Sequence, residues 1–192
     1  MKCCILFASP RAENSNTLSM VRPFMEEWEA AGHTADFFSL YDMDIKPCRA
    51  CRSCQSDWST PACAVHDDMD AIFDSVLSSD LIVLASPIYS WYCTAPLKAA
   101  LDRMVYALNK YYGDKRGPSI WQGRRVAIIT SCGYRSEKGT DLFEEGILRY
   151  CKHSGLQYGG MIAQRHLGYD VPFMDQEREQ QVRAFARKVM EL

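Results

Sequence analysis

KCCILFASPRAENSNTL, residues 2–18, reads as a strand, a loop and the start of a helix. CCILFA (3–8) is apolar throughout, as a strand covered on both faces is. From Leu18 the period changes, and Leu18, Val21, Met25 and Trp28 recur at helical spacing. Between the two lie Ser9, Arg11, Asn14, Ser15, Asn16 and Thr17. Two readings of these short polar side chains stand at this point. They form the turn and cap the helix, or their donors meet an anion. A helix start favours an anion through its unpaired N–H groups and partial positive charge. The dipole is worth only ~0.3–1 kcal/mol. Hydrogen bonds to a charged group are worth roughly 1.5–3 kcal/mol each, so hydroxyls and amides would dominate.

Outward from this stretch, LIVLAS (81–86) and VAIITS (126–131) repeat the buried-strand pattern, and HTADFFSL (33–40) and GMIAQRHL (160–167) are weaker strands. Helical faces are predicted from Met69, Ile72, Phe73 and Val76, and from Leu97, Leu101, Met104 and Leu108. Two more come from Leu142, Phe143, Ile147 and Tyr150, and from Val182, Phe185, Ala186 and Val189. Pro23 falls inside the first helix, where proline kinks. Asp67 and Asp68 precede the second as an N-cap pair. The order βαβαβαβαβα requires crossover helices between parallel strands. The fold class is therefore α/β: a flavodoxin-like, doubly wound five-stranded parallel sheet of order 2-1-3-4-5. Ligands in such sheets bind at the carboxyl ends of the strands, which singles out loops 9–17, 86–94 and 131–139. NKYYGDKRGPSIWQ (109–122) is a long connection that either covers a site or is plain surface loop.

The 192 residues suit a single domain, 1–192, with a cysteine-rich loop at 47–64. A net charge of −2 gives no electrostatic footprint for nucleic acid. No apolar run is long enough to span a bilayer. A strand starting at the second residue leaves no room for a signal peptide, so a cytoplasmic protein is expected. Nine cysteines in that compartment read as thiols or metal ligands. Cys48, Cys51 and Cys54 form C-x2-C-x2-C, and Cys63 follows after eight residues. Three thiols in seven residues suit an iron–sulfur cluster better than a zinc finger, which pairs close ligands with distant ones. Cys3, Cys4, Cys93, Cys132 and Cys151 are read as core, His66 as solvated, and His33, His153 and His166 are given no role. Neither G-x-x-x-x-G-K-[ST] nor G-x-G-x-x-G occurs. A hydroxyl-rich loop after the first strand instead suits a monophosphate such as that of FMN.

ASPRAENSNTL (8–18) resembles the G-S-P-R-x-x-G-N-T-x-x-L phosphate loop of the flavodoxin-like NAD(P)H-dependent FMN reductases. SSDLIVLASPIYSWYCTAPLKAALDR (78–103) resembles their second signature, A-D-x-I-[IV]-x-[GA]-[ST]-P-[IV]-Y followed by A-P-L-K-x-x-[IL]-D-R. The resemblance runs from residue 2 to about residue 170 and departs at Ala8 and Ser15, where glycine is usual. It implies that Ser9, Arg11, Ser15, Asn16 and Thr17 surround the FMN phosphate. Pro87, Ile88, Tyr89 and Ser90 would border the isoalloxazine with Trp91 close by, and Ser131, Cys132 and Gly133 would offer backbone at its far edge. Lys98, Asp102 and Arg103 are expected to be structural.

IKPCRACRSCQSDWSTPACAVHDDM (45–69) resembles the compact cysteine segment of the iron–sulfur flavoproteins, a branch of the same family, with a longer last spacing. That resemblance implies a [4Fe–4S] cluster on Cys48, Cys51, Cys54 and Cys63. Relatives without a cluster carry a similar segment, so metal-free thiols, zinc and a redox disulfide stay open. The implied function is an FMN-dependent oxidoreductase. It passes hydride from NAD(P)H through flavin N5 to a quinone, nitro or azo compound, flavin or protein carrier, with no acid–base side chain required. Two rivals remain: an iron–sulfur flavoprotein acting as an electron-transfer relay, and a zinc-stabilised non-catalytic binding module. Flavodoxins proper are strongly acidic, which this chain is not. A homodimer or homotetramer is expected, with the 89–92 loop and the helix after residue 94 as contacts.

Overall fold

The structure, a computed structural model, describes residues 1–168 and 170–191. The apolar runs form β1 (Lys2–Phe7), β2 (Thr34–Ser39), β3 (Leu81–Pro87), β4 (Arg125–Cys132) and β5 (Gln157–Arg165). They pair in parallel in the order β2-β1-β3-β4-β5, as expected. The helices are α1 (Asn16–Ala30), α2 (Met69–Ser78), α3 (Ala95–Leu108), the short α4 (Ser136–Gly139), α5 (Asp141–Ser154) and α6 (Gln176–Glu191).

Side chains alternate across the sheet, and the two sets meet different helices. Ile5 and Phe7 of β1, Val83 of β3 and Ile129 of β4 pack with α1 and α6. Leu6, Leu84 and Ile128 pack with α2, α3 and α5. Covering both faces is why these strands are uniformly apolar. Trp28 is fully buried between the sheet and α6, and its Nε1 donates to Thr34 O at 3.0 Å. Burying such a side chain contributes about 1.5–3 kcal/mol. Cys3 and Cys4 are core residues, and burial pushes both thiols up to about 12.

The weaker strands are the two edges of the sheet. β2 buries its side chains only partly, which weakens its apolar signal. β5 starts at Gln157, ahead of the expected 160, and ends at Arg165. Its pairing slips between Val126 and Ala127, opposite Gly159, and the two glycines there break the pattern. Pro23 lies inside α1, which runs from Asn16 to Ala30. Two other expectations are corrected. Leu142 is 59% exposed, and α5 buries Phe143, Ile147 and Cys151 instead. Asp68 occupies the N-cap of α2 without capping it, because its carboxylate accepts from Asp44 N at 2.7 Å, while Asp67 Oδ1 accepts from Met69 N at 3.1 Å. Among the described residues no helix is long and apolar enough to cross a membrane.

Candidate functional site

A cleft of about 190 Å³ opens at the carboxyl ends of β1, β3 and β4. From the first loop it takes Ser9, Arg11, Ser15, Asn16 and Thr17. Pro87, Ile88 and Tyr89 come from the end of β3, and Ser131, Cys132 and Gly133 from the end of β4. The structure thus brings together eleven of the twelve residues expected at a cofactor. Ser90 is the exception and does not line the cleft.

The polar loop serves both readings at once. Ser15 caps α1, its Oγ accepting from Leu18 N at 3.2 Å. Ser9 Oγ accepts from Arg11 N at 3.4 Å. Hydroxyls that accept keep their own proton for another partner. Thr17 Oγ1 lies 2.9 Å from Ser131 Oγ, joining the start of α1 to the end of β4. With Leu18 N engaged, the first N–H groups of α1 are those of Asn16 and Thr17, and both residues line the cleft. Ser15 has φ −84°, so the glycine usual at this position is not required; the left-handed residue of the loop is Ala12, at φ 43°. The lining carries Arg11 and His166 and no carboxylate among the described residues, a set suited to an anion.

On the other side of the cleft the chain makes a two-residue hairpin. Tyr89 N donates to Tyr92 O at 2.9 Å and Tyr92 N to Tyr89 O at 3.1 Å. Its central residues, Ser90 and Trp91, have φ of 51° and 63°, the left-handed values this turn demands and non-glycine residues resist. That turn points Ser90 away from the cleft lining and leaves Tyr89 half exposed. Trp91 stacks on Tyr134 at 5.7 Å between centroids, linking the loops after β3 and β4. Tyr92 anchors the hairpin edge-on against Phe143 at 5.3 Å.

Several contributors had not been expected from the sequence. Thr94 Oγ1 donates to Ala8 O at 2.7 Å, Thr130 Oγ1 donates to Ser86 O at 2.6 Å, and Thr94 N donates to Ser86 Oγ at 3.1 Å. These buried hydroxyls pin the ends of β1, β3 and β4 to one another. His166 lines the cleft, and its N–H donates to Cys132 O at 2.8 Å. Its position directly after β5, at the same end of the sheet as the other loops, was the available signal. Burial raises the Cys132 thiol above its usual range, and Cys132 Sγ donates to Tyr134 O at 3.2 Å.

The cysteine loop forms a second, more enclosed pocket, lined by Cys48, Cys51, Cys54 and Cys63 together with Arg103 and Tyr106. All four cysteines are free thiols. Three of the sulfurs accept a hydrogen bond: Ala50 N donates to Cys48 Sγ at 3.4 Å, Ser53 Oγ to Cys51 Sγ at 3.4 Å and Arg103 Nη2 to Cys63 Sγ at 3.3 Å, while Cys54 Sγ donates to Tyr106 O at 3.3 Å. The bond from Ser53 lowers the Cys51 thiol, and burial raises that of Cys54. Among the described residues no three His, Cys, Asp or Glu groups converge as a single metal ion needs. Four cysteines lining one pocket are the donor set of an iron–sulfur cluster. His66 lies outside this pocket, 3.2 Å from Asp70.

The 109–122 connection covers the cysteine loop and not the strand-end cleft. Lys110 Nζ donates to Cys54 O at 2.7 Å, and Tyr112 N donates to Gln55 Oε1 at 3.0 Å. Gly117 lies so close to Lys110 and the Trp58 ring that a Cβ there would sit 2.7 and 2.8 Å from them. Arg103, expected to be structural, pairs with Asp67 through two 2.6 Å bonds, both side chains being out of solvent. Lys98 and Asp102 form a surface pair at 2.7 Å one helical turn apart.

The whole chain, residues 1–192, matches the family described as having a flavodoxin-like fold, and it belongs to that family. An iron–sulfur flavoprotein of Methanocaldococcus jannaschii is 34% identical over 103 residues, 54% of this chain and 51% of that protein. One of Methanosarcina thermophila is 30% identical over 115 residues, 60% of this chain and 58% of that protein. The chain thus spans little more than half the length of these relatives. An FMN-dependent NADH:quinone oxidoreductase of Pseudomonas fluorescens is 26% identical over 138 residues, 67% of this chain and 69% of that protein. Among solved structures, an NAD(P)H:quinone oxidoreductase from Methanothermobacter marburgensis superposes with a TM-score of 0.67 at 23% identity, covering 98% of this chain and 97% of that one. At that identity the likeness shows the fold alone.

Proposed function

We propose that the chain is an FMN-dependent oxidoreductase that takes hydride from NAD(P)H and reduces a quinone, a nitro or azo compound, a flavin or another acceptor. The observation that carries the reading is the cleft. It combines the start of α1, whose Asn16 and Thr17 line it, four short hydroxyl or amide side chains and Arg11, with no carboxylate among its described lining. Bound there, flavin supplies the electron chemistry. Ser9, Ser15, Asn16 and Thr17 hold its phosphate by donation, and Arg11 and His166 add donors on the same rim. The backbone from Pro87 to Tyr89 and from Ser131 to Gly133 borders the ring. Tyr89 shields one edge while remaining half exposed, which leaves access for a planar partner. Hydride exchange requires no acid–base side chain, in keeping with a lining that has no acid–base pair such as histidine with a carboxylate. A homodimer or homotetramer and a cytoplasmic setting belong to the same reading.

A second reading is favoured by the cysteine pocket: an iron–sulfur flavoprotein in which Cys48, Cys51, Cys54 and Cys63 hold a [4Fe–4S] cluster. Four cysteines lining one pocket, with hydrogen bonds accepted by the sulfurs of Cys48, Cys51 and Cys63, are the support. Anaerobic reconstitution with FMN, ferrous iron and sulfide tests both readings, with a visible spectrum and metal analysis as readouts. Flavin bands that persist through gel filtration are expected. A colourless protein overturns the first reading, and flavin without iron overturns the second.

A further inference from the structure

The surroundings of the cysteine pocket carry a charge imbalance. Arg103 and Lys110 are both buried there, at 1% and 0% exposure. Asp67, its side chain fully out of solvent, is engaged by Arg103 through both carboxylate oxygens. Among the described residues Lys110 makes no ion pair with a carboxylate. Its Nζ donates to three carbonyl oxygens, those of Cys54 at 2.7 Å, Thr60 at 2.6 Å and Pro61 at 3.3 Å. Three donated bonds are those of an ammonium. Asp57, at the edge of the loop, is occupied by the Ser59 and Thr60 hydroxyls at 2.6 and 2.5 Å. Arg103, Lys110 and Asp67 therefore sum to one positive charge beside Cys54 and Cys63, and the Asp57 carboxylate, which keeps its charge, offsets it only from the solvent-facing edge of the loop. Arg103 repeats the signal: its Nε is buried without a hydrogen-bond partner, while its Nη2 donates to Cys63 Sγ at 3.3 Å.

Isolated buried charge is costly and is retained where an anion completes it. We propose that Lys110 and Arg103 are positioning residues that stabilise negative charge in the cysteine pocket and thereby raise the reduction potential of the cluster it holds. The inference rests on the second reading above. A cluster ligated by four thiolates is anionic, and one-electron reduction makes it more so without moving a proton. The electron comes from reduced flavin in the protein and from dithionite in a titration. A fixed cation alongside stabilises the reduced form more than the oxidised one. Lys110 acts from the covering connection and Arg103 from α3, so the charge is held by the scaffold and not by the loop that carries the ligands.

The test is a mediated dithionite titration of the reconstituted full chain, followed by electron paramagnetic resonance, with iron and sulfide counted for each variant. Lys110→Gln removes the charge and keeps an amide that can donate to the same carbonyls; Lys110→Arg restores the charge. The glutamine variant is expected to load cluster and to shift its midpoint to more negative potential, and the arginine variant to recover most of the shift. Arg103→Lys, which keeps the charge and loses the bond to Cys63, is expected to shift less than Lys110→Gln, and Lys110→Met, which also removes the charge, provides the reading if the glutamine variant does not fold. Wild-type chain that takes up no iron and sulfide defeats the cluster reading itself. Wild-type chain that loads, with the midpoint of the folded variants unmoved, overturns this inference and leaves that reading intact.

Discussion

Replacing Thr17 by valine separates phosphate binding from every other role of the first loop. The substitution keeps the shape of a fully buried side chain and removes one hydroxyl. In the structure that hydroxyl lies 2.9 Å from Ser131 Oγ. One of the pair donates to the other, and the remaining proton is the one available to a ligand. If Ser131 donates, the Thr17 proton points to the phosphate. Loss of a hydrogen bond to a charged group then costs about 1.5–3 kcal/mol, or roughly 10- to 150-fold in Kd. Ser131 is 6% exposed at the rim of the cleft, so its released hydroxyl can turn to solvent. The cost to the fold is therefore that of one ordinary hydrogen bond, about 0.5–1.5 kcal/mol. Flavin fluorescence quenching on apoprotein measures the affinity. Riboflavin, which lacks the phosphate, is the control. Thr17→Val is expected to weaken FMN by the stated factor and leave riboflavin unchanged. Equal weakening of both ligands, or unchanged FMN affinity, refutes the assignment.

Asp67→Asn leaves Arg103 buried without its counter-charge and is expected to cost about 3–5 kcal/mol in urea unfolding. Against the upward pull of burial, Arg103 and the N–H groups of Lys46 and Met69 hold the Asp67 carboxyl below its usual range. A depressed folded value means that this stability is present above the unfolded pKa and is lost as pH falls through the folded one. Wild type should therefore lose stability in acid more steeply than Asp67→Asn; parallel acid profiles would contradict the pairing. Gly117→Ala forces a Cβ against Lys110 and the Trp58 ring and should destabilise the covering connection by about 1–3 kcal/mol. A thermal midpoint equal to that of wild type would show that the connection is not packed on the cysteine loop.

Each part of the fold that was legible in the sequence was local. CCILFA, LIVLAS and VAIITS could be strands only with both faces covered, and these three with two weaker strands, joined by helices, leave few topologies. The hydroxyl loop likewise announced a site, because a strand-to-helix junction at the carboxyl edge of the sheet needs no distant contact to form. The eleven cleft residues were named by carrying the family resemblance onto that loop and the loops after β3 and β4. Ser90 does not line the cleft, and its residue type says nothing of the left-handed turn it occupies. Leu142 was misplaced because helical periodicity alone did not exclude it from the buried face.

Tertiary structure alone decided what lies between segments far apart in the chain. Three cysteines at close spacing are visible in the sequence, but not that Arg103 reaches Cys63 across 40 residues or that Lys110 reaches Cys54 across 56. Nor does local pattern tell that 109–122 covers the cysteines and not the cleft, or that His166 returns to the first loop. Burial and electrostatics belong to the neighbours a side chain meets, and those neighbours are chosen by chain topology. The sequence determined the elements and the chemistry at their ends; packing determined which charges share a buried space, and so what that space can hold.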